Sequence, residues 1–332
     1  MKNSIYAVLV AMMLSGCAAT DKLAQTTTDP VKAETEGQAA DKSLSLYDGA
    51  WEESVKRASG IRTSTDAEYA ADRAMGRNNL NKAAAYYARA FELDKRNAKA
   101  GYKLAQLHQK AGNTGQAEQI YRFVLKSSPR HIASLEGLGL IVLGQDNRKE
   151  ARRLLVKAVA VFQHQGPTER SAQNHAPVKA FNGLGQLADI DGQFQQAQTY
   201  YQQGLQLDPG NTELMNNQAY SLFISGNWQH AERLLRDVLS VEPQYTRAIY
   251  NLALVNAQAR RFDEVADLLG RFMEPYEASN DAGYLAMMAG DLKSAEALFQ
   301  KAIDQAPFYN EAAWRNMDKV KQLETVPHKQ PF

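Results

Sequence analysis

Six histidines, one cysteine and a few closely spaced carboxylates are the residues whose chemistry could run a reaction. His108, His131, His164, His175, His230 and His328 are scattered along the chain. None sits in an HExxH pair or beside a cysteine, so no zinc-ligand spacing results. Asp189 and Asp191 are two residues apart, and on a helix such side chains do not face each other. Gly183-Leu184-Gly185 lies inside a helical pattern and makes no dinucleotide turn, while GxxxxGK[ST] and GxSxG are both missing. The expectation is a non-enzyme with no catalytic residue, metal, cofactor or small-molecule substrate. Amide chemistry does recur. Asn217 and Asn251 are 34 residues apart, and an Asn side chain carries both the donor and the acceptor that a ligand's peptide unit requires.

The elements that must position these amides show in residues 178–211. Phe181, Leu184 and Gly185 share one face of a first helix, and Gly192 ends it in the left-handed conformation that glycine takes at little cost. Ala197, Tyr201 and Leu205 line a second helix at four-residue spacing, and Pro209 stops it. The small residue of the second helix recurs at Ala83, Ala117, Ala151, Ala197, Ala231, Val265 and Ala295, in steps of 34, 34, 46, 34, 34 and 30. Turn glycines Gly112, Gly226 and Gly290 and stop prolines Pro129, Pro243 and Pro307 keep the same register. Such a unit cannot bury its own apolar stripes and needs neighbours. The pattern resembles the tetratricopeptide repeat (TPR). It implies an all-α solenoid of about seven helix-turn-helix repeats with a C-terminal capping helix.

The predicted organisation follows in order. Residues 1–16 pair Lys2 with an apolar run too short to span a bilayer, as in a signal peptide. Leu14-Ser15-Gly16-Cys17 resembles the bacterial lipobox, which implies lipidation at Cys17. Three acyl chains would anchor the protein stably, and Ala18-Ala19 lack the aspartate that favours inner-membrane retention. The expected location is therefore the outer membrane of a Gram-negative bacterium, facing the periplasm. Residues 17–45 hold the lipidated cysteine and a tether too poor in large apolar side chains to build a core. Residues 46–63 form an N-terminal helix with Trp51, Val55 and Ala58 on one face. Thr65 and Glu68 read as a capping box opening repeats one to three at 64–165. An insertion at 166–177 precedes repeats four to seven at 178–308. Trp314, Met317, Val320 and Leu323 stripe a closing helix at 309–324, and 325–332 are a tail. Lys plus Arg number 38 against 37 Asp plus Glu. Without residues 1–16 each sign counts 37, which provides no basic field for nucleic acid.

In TPR arrays the first helices line a groove, and positions 2, 5, 6, 9 and 12 of each repeat face its ligand. Carried over, these give Tyr102 and Gln106 in repeat two and Lys179, Asn182 and Gln186 in repeat four. Repeat five adds Asn216, Asn217 and Tyr220, and repeat six adds Arg247, Tyr250 and Asn251. An extended or helical partner segment is expected across repeats four to six. The basic set of a carboxylate clamp is not assembled, because Lys179 lacks matching basic neighbours. Two stretches are similar to the Flp pilus assembly protein TadD, a TPR lipoprotein family of tight-adherence secretion systems. They are Ala180-Phe181-Asn182-Gly183-Leu184-Gly185 with Leu214-Met215-Asn216-Asn217-Gln218-Ala219, and Tyr250-Asn251-Leu252-Ala253-Leu254-Val255 with Arg261-Phe262-Asp263-Glu264. The resemblance implies a scaffold or pilotin whose partners are proteins of a pilus or secretion apparatus, such as a secretin or another outer-membrane component. Another periplasmic TPR adaptor, serving cell-wall hydrolases, type IV pili or outer-membrane protein insertion, is the alternative.

Overall fold

The computed structural model describes residues 49–166 and 175–325. Cys17, the leader at 1–16, the tether, positions 167–174 and the tail from 326 lie outside the described residues, as does the side chain of Trp51. Among the described residues there are sixteen α-helices and no strand. They are α1 Gly49–Ser59, α2 Ser64–Gly76, α3 Leu80–Leu93, α4 Ala98–Lys110, α5 Thr114–Ser127, α6 Ile132–Gly144, α7 Arg148–Gln163 and α8 Val178–Ile190. The second half continues with α9 Phe194–Leu207, α10 Thr212–Ile224, α11 Trp228–Val241, α12 Thr246–Gln258, α13 Phe262–Leu269, α14 Pro275–Met288, α15 Leu292–Gln305 and α16 Glu311–Thr325. Seven two-helix units run from α2/α3 to α14/α15, with α1 before them and α16 after.

Local chemistry sets the boundaries. Four helices end two residues before a proline, at Ser127, Leu207, Val241 and Gln305, because the residue preceding proline avoids the helical region. Asn79, Asn97, Asn147, Asn211 and Asp291 each cap the helix that follows by accepting a backbone N–H three residues on. The cap of α2 is Thr63, which accepts from the Asp66 N–H. The expected box at Thr65 starts two residues too late, and Glu68 instead accepts from Asn97, the cap of α4, and from Lys99 within that helix. Between the two helices of every unit one residue is left-handed: Asn78, Gly112, Asp146, Gly192, Gly226, Arg260 and Gly290. Their spacing repeats that of the marker residues, and three are not glycine.

All seven markers, Val265 included, are fully buried, and the large residues four positions later are at most 3% exposed. This is where the two helices of a unit cross, so the marker must be small and its neighbour large. Glycine permits the same approach from the first helix. A Cβ added at Gly139 would lie 2.6 Å from Leu155, and one at Gly283 would lie 2.8 Å from Phe299.

The chain forms two compact bodies that divide inside α9: one comprises the described residues up to 191 with 202–209, the other 192–201 with 210–325. In the first body an alanine-rich core (Ala67, Ala71, Ala83, Ala84, Ala90) closes around Tyr87, Phe91 and Leu104, and α1 packs on α3. Among the described side chains of α1, Ser54 and Ala58 are buried, whereas Val55 is 43% exposed. Small side chains suit an approach to that alanine core, so of the expected face Ala58 is buried while Ser54 takes the place of Val55. In the second body Leu235, Ile249, Leu252, Val265, Leu298 and Phe299 belong to one continuous core. Helix α16 covers its end through Ala313, Met317 and Val320, while Trp314 and Leu323 stay about 40% exposed. Of the expected set Met317 and Val320 are buried, and Ala313 joins them at i, i+4, i+7 spacing in place of Trp314 and Leu323.

Candidate functional site: the inner row of first helices

Within each body, the first helix of a unit touches the first helix of the next. Examples are α6 with α8, α10 with α12, and α14 with α16. These helices form an inner row, and all the expected groove residues sit on it.

In the N-terminal body the row is occupied by its own side chains. Glu68 and Asp72 of α2 meet Lys99 and Lys103 of α4, and the Tyr87 hydroxyl donates to Asp72. Burial pushes the Asp72 carboxyl up, but the hydrogen bonds from Lys103 and Tyr87 outweigh it and hold it below the ordinary range. Tyr102 accepts from the Gln106 amide at 2.6 Å. Its ring lies 5.7 Å from that of His131 and 6.4 Å from that of His175. Burial and the nearby Glu136 charge raise the Tyr102 hydroxyl to about 12. Desolvation, then His175, lowers His131 to about 4, so its ring is neutral at physiological pH.

Glu136, only 1% exposed, went unnoticed in the sequence. One oxygen accepts the Ala180 N–H at 2.8 Å and the other meets His175 Nε2. Pro177 precedes α8 and provides no side-chain cap, so Glu136 caps that helix from 44 residues upstream. The only signal for it was a single charge inside the apolar run Ile132–Gly144. Of the repeat-four candidates, Lys179 is exposed, Asn182 is buried and Gln186 is half-buried.

In the C-terminal body the row is made of amides. Asn251 Nδ2 donates to Asn216 Oδ1 at 2.8 Å, and Asn216 Nδ2 donates to Asn217 Oδ1 at 3.3 Å. Asn216 and Asn251 are 2% and 6% exposed. Asn217, Tyr220, Arg247 and Tyr250 are half-buried, and the Tyr250 ring lies 5.0 Å from Phe272. The structure thus joins Asn251 to Asn216, where the 34-residue spacing had paired it with Asn217. Asn251 Oδ1 is buried with no hydrogen-bond partner. Farther along, Asn316 of α16 donates to Asn280 Oδ1 at 3.0 Å, and Asn280 donates to Asp281 at 3.3 Å. Burial lifts the Asp281 carboxyl to about 6, Asn280 lowers it somewhat, and Glu277 raises it again. Asp281 holds the same repeat position as Asn217 and Asn251. The four-residue shortening of the last step hid it from sequence reasoning.

Among the described residues no three His, Cys, Asp or Glu side chains converge as a metal site, and no helix is long and apolar enough to cross a membrane. Repeated helix pairs, a small residue at each crossing and an inner row of first helices define a helical-repeat protein. Models of the tetratricopeptide repeat match residues 74–135, 178–211, 216–269 and 264–310. The chain belongs to the tetratricopeptide-repeat family.

A TPR protein from Parabacteroides merdae shares the fold at a TM-score of 0.51, with 13% identity over 78% of this chain and 98% of that one. PilW, a type IV pilus biogenesis factor, superposes more loosely, at a TM-score of 0.47 and 17% identity over 78% of this chain and 98% of its own. Cellulose synthase operon protein C of Pseudomonas fluorescens is 29% identical over 160 residues, which are 47% of this chain and 12% of that protein. The chain thus spans about an eighth of that relative.

Proposed function

We propose that this protein is a non-enzymatic docking scaffold, held by a lipidated Cys17 on the periplasmic side of the outer membrane, that assists assembly of a Flp/Tad-type pilus or secretion system. The observation that carries the docking reading is the C-terminal inner row. Half-buried rings and amides share that row with Asn251 Oδ1, a buried acceptor with nothing to accept from. An unmet acceptor costs stability, and a partner's N–H groups would remove that cost. The lipobox and the two TadD-like stretches support the anchor and the pilus setting. A second reading, an adaptor in another envelope export machine, draws on the cellulose synthase operon relative.

Pull-down from solubilised outer membrane tests both readings. Recovery of a secretin or another pilus component with the wild-type chain, and its loss with a folded Asn217→Ala/Asn251→Ala double variant, supports the first reading. Recovery of polysaccharide-export components instead supports the second. Unchanged capture by the folded double variant rejects this groove.

A further inference from the structure

The inner rows of the two bodies treat their carboxylates differently. In the N-terminal body, Glu68 and Asp72 are each neutralised by a lysine of the next first helix. In the C-terminal body the next first helix, α16, sends the neutral amide of Asn316 to Asn280. Asp281 forms no ion pair among the described residues, and its one hydrogen bond comes from the adjacent Asn280 amide.

Nor does Asp281 serve the fold by capping a helix. Glu274 and Glu277 already close the start of α14 with a reciprocal capping box. The nearest acidic neighbour, Glu277, makes the site more negative still. A carboxylate held half out of water without a cation is an unmet charge. One repeat away, at the same position of α12, stands Asn251 with its orphaned Oδ1. The Asn251 Oδ1 and the Asp281 carboxylate oxygens can only accept, so the missing occupant must bring donors, one of them positively charged. An anionic or C-terminal carboxylate ligand would add a third set of acceptors and be repelled.

We infer that the segment docked on α12 and α14 is basic, with an arginine or lysine side chain paired to Asp281 and a main-chain N–H donated to Asn251 Oδ1. This rests on the docking reading above and narrows it to one chemical class. Tyr250, its ring tilted 60° to that of Phe272 at 5.0 Å, and Tyr284 supply the apolar flank against which a long cationic side chain lays its methylenes.

The test selects peptides from a random dodecamer display library on the immobilised full chain and measures their affinity by fluorescence anisotropy. Selected peptides are expected to share one Arg or Lys position. Replacing that residue by neutral citrulline or norleucine should weaken binding about ten-fold or more, the loss of a charge-assisted pair. Asp281→Asn should weaken the parent peptide as much and leave the neutral peptide unaffected. Binding that needs Tyr250 and Asn217 but ignores peptide charge and Asp281 overturns the basic class and leaves the groove standing. Binding indifferent to Tyr250→Ala and Asn217→Ala, or no retained peptide at all, overturns both.

Discussion

Asp281 gives the most direct test of a group kept at a cost to the fold. Its carboxyl ordinarily titrates near 3.8 and is lifted to about 6, chiefly by burial. At pH 8 the unfolded chain ionises this group freely while the folded chain does so against that burial, a penalty of about 3 kcal/mol. The carboxylate is only partly buried, and water reduces the expected figure to about 1–2 kcal/mol. The sign follows from the direction. A raised carboxyl favours the fold below the unfolded value, and the benefit fades as pH climbs through the folded value near 6. Asp281→Asn keeps an oxygen that accepts from Asn280 and removes the charge. It should therefore raise stability at pH 8 and have little effect at pH 4. The assay is urea denaturation of wild type and variant at both pH values. Comparing the two chains cancels carboxylates such as Glu232, where burial raises the value but Arg236 and Arg261 outweigh it. A variant no more stable than wild type at pH 8, or one whose gain persists at pH 4, would refute the reasoning.

Other substitutions probe the elements that hold the rows in place. Arg260 is left-handed at φ 59°, and Arg260→Gly should stabilise the chain by about 0.5–1 kcal/mol after loss of its exposed 3.6 Å ion pair to Asp291, read as an upward shift in Tm. Gly283→Ala would drive a Cβ to 2.8 Å from the buried Phe299 ring and should cost about 1–3 kcal/mol in denaturant. Glu136→Ala leaves the start of α8 uncapped and should cost about 2 kcal/mol. Glu136→Gln retains the acceptor and should lose less by the same denaturation measurement. Cys17→Ser should move the protein out of the membrane fraction or leave the precursor unprocessed, and continued acylation would refute the lipobox reading.

Features that the crossing geometry forces were legible in the sequence. A marker at a helix crossing can only be small, so its spacing is visible in any single chain, and the prolines mark ends through a steric rule. The left-handed turns were only half legible, because Asn78, Asp146 and Arg260 look like ordinary polar residues. Packing chose between near-equivalent faces on α1 and α16, where the small residues Ser54 and Ala313 take buried places that the search for large apolar side chains passed over. Contacts across long separations were invisible, as with Glu136 capping α8. Asp281 was missed for a different reason: a 30-residue step shifts the count by a turn, and an aspartate does not look like a continuation of an asparagine series.

Several of the expected groove positions also have duties within the fold, and this decides where docking can occur. In the N-terminal body, Tyr102 faces His131 and His175, Glu68 and Asp72 meet lysines and Glu136 meets His175, so a ligand would have to displace satisfied groups. These pairs are partly exposed, Lys99 by 58% and Asp72 by 39%, so each is worth about 0.2–1 kcal/mol, which a peptide contact would have to exceed before gaining anything. In the C-terminal body the balance is reversed. Asn251 Oδ1 and, more weakly, the partly hydrated Asp281 carry a desolvation cost in the free protein, which the proposed donor-bearing ligand would relieve. Two rows built on one repeat therefore divide the work. The N-terminal row is closed by its own ion pairs and imidazoles, while the C-terminal row keeps the acceptors to which the docking proposal assigns a partner's donors.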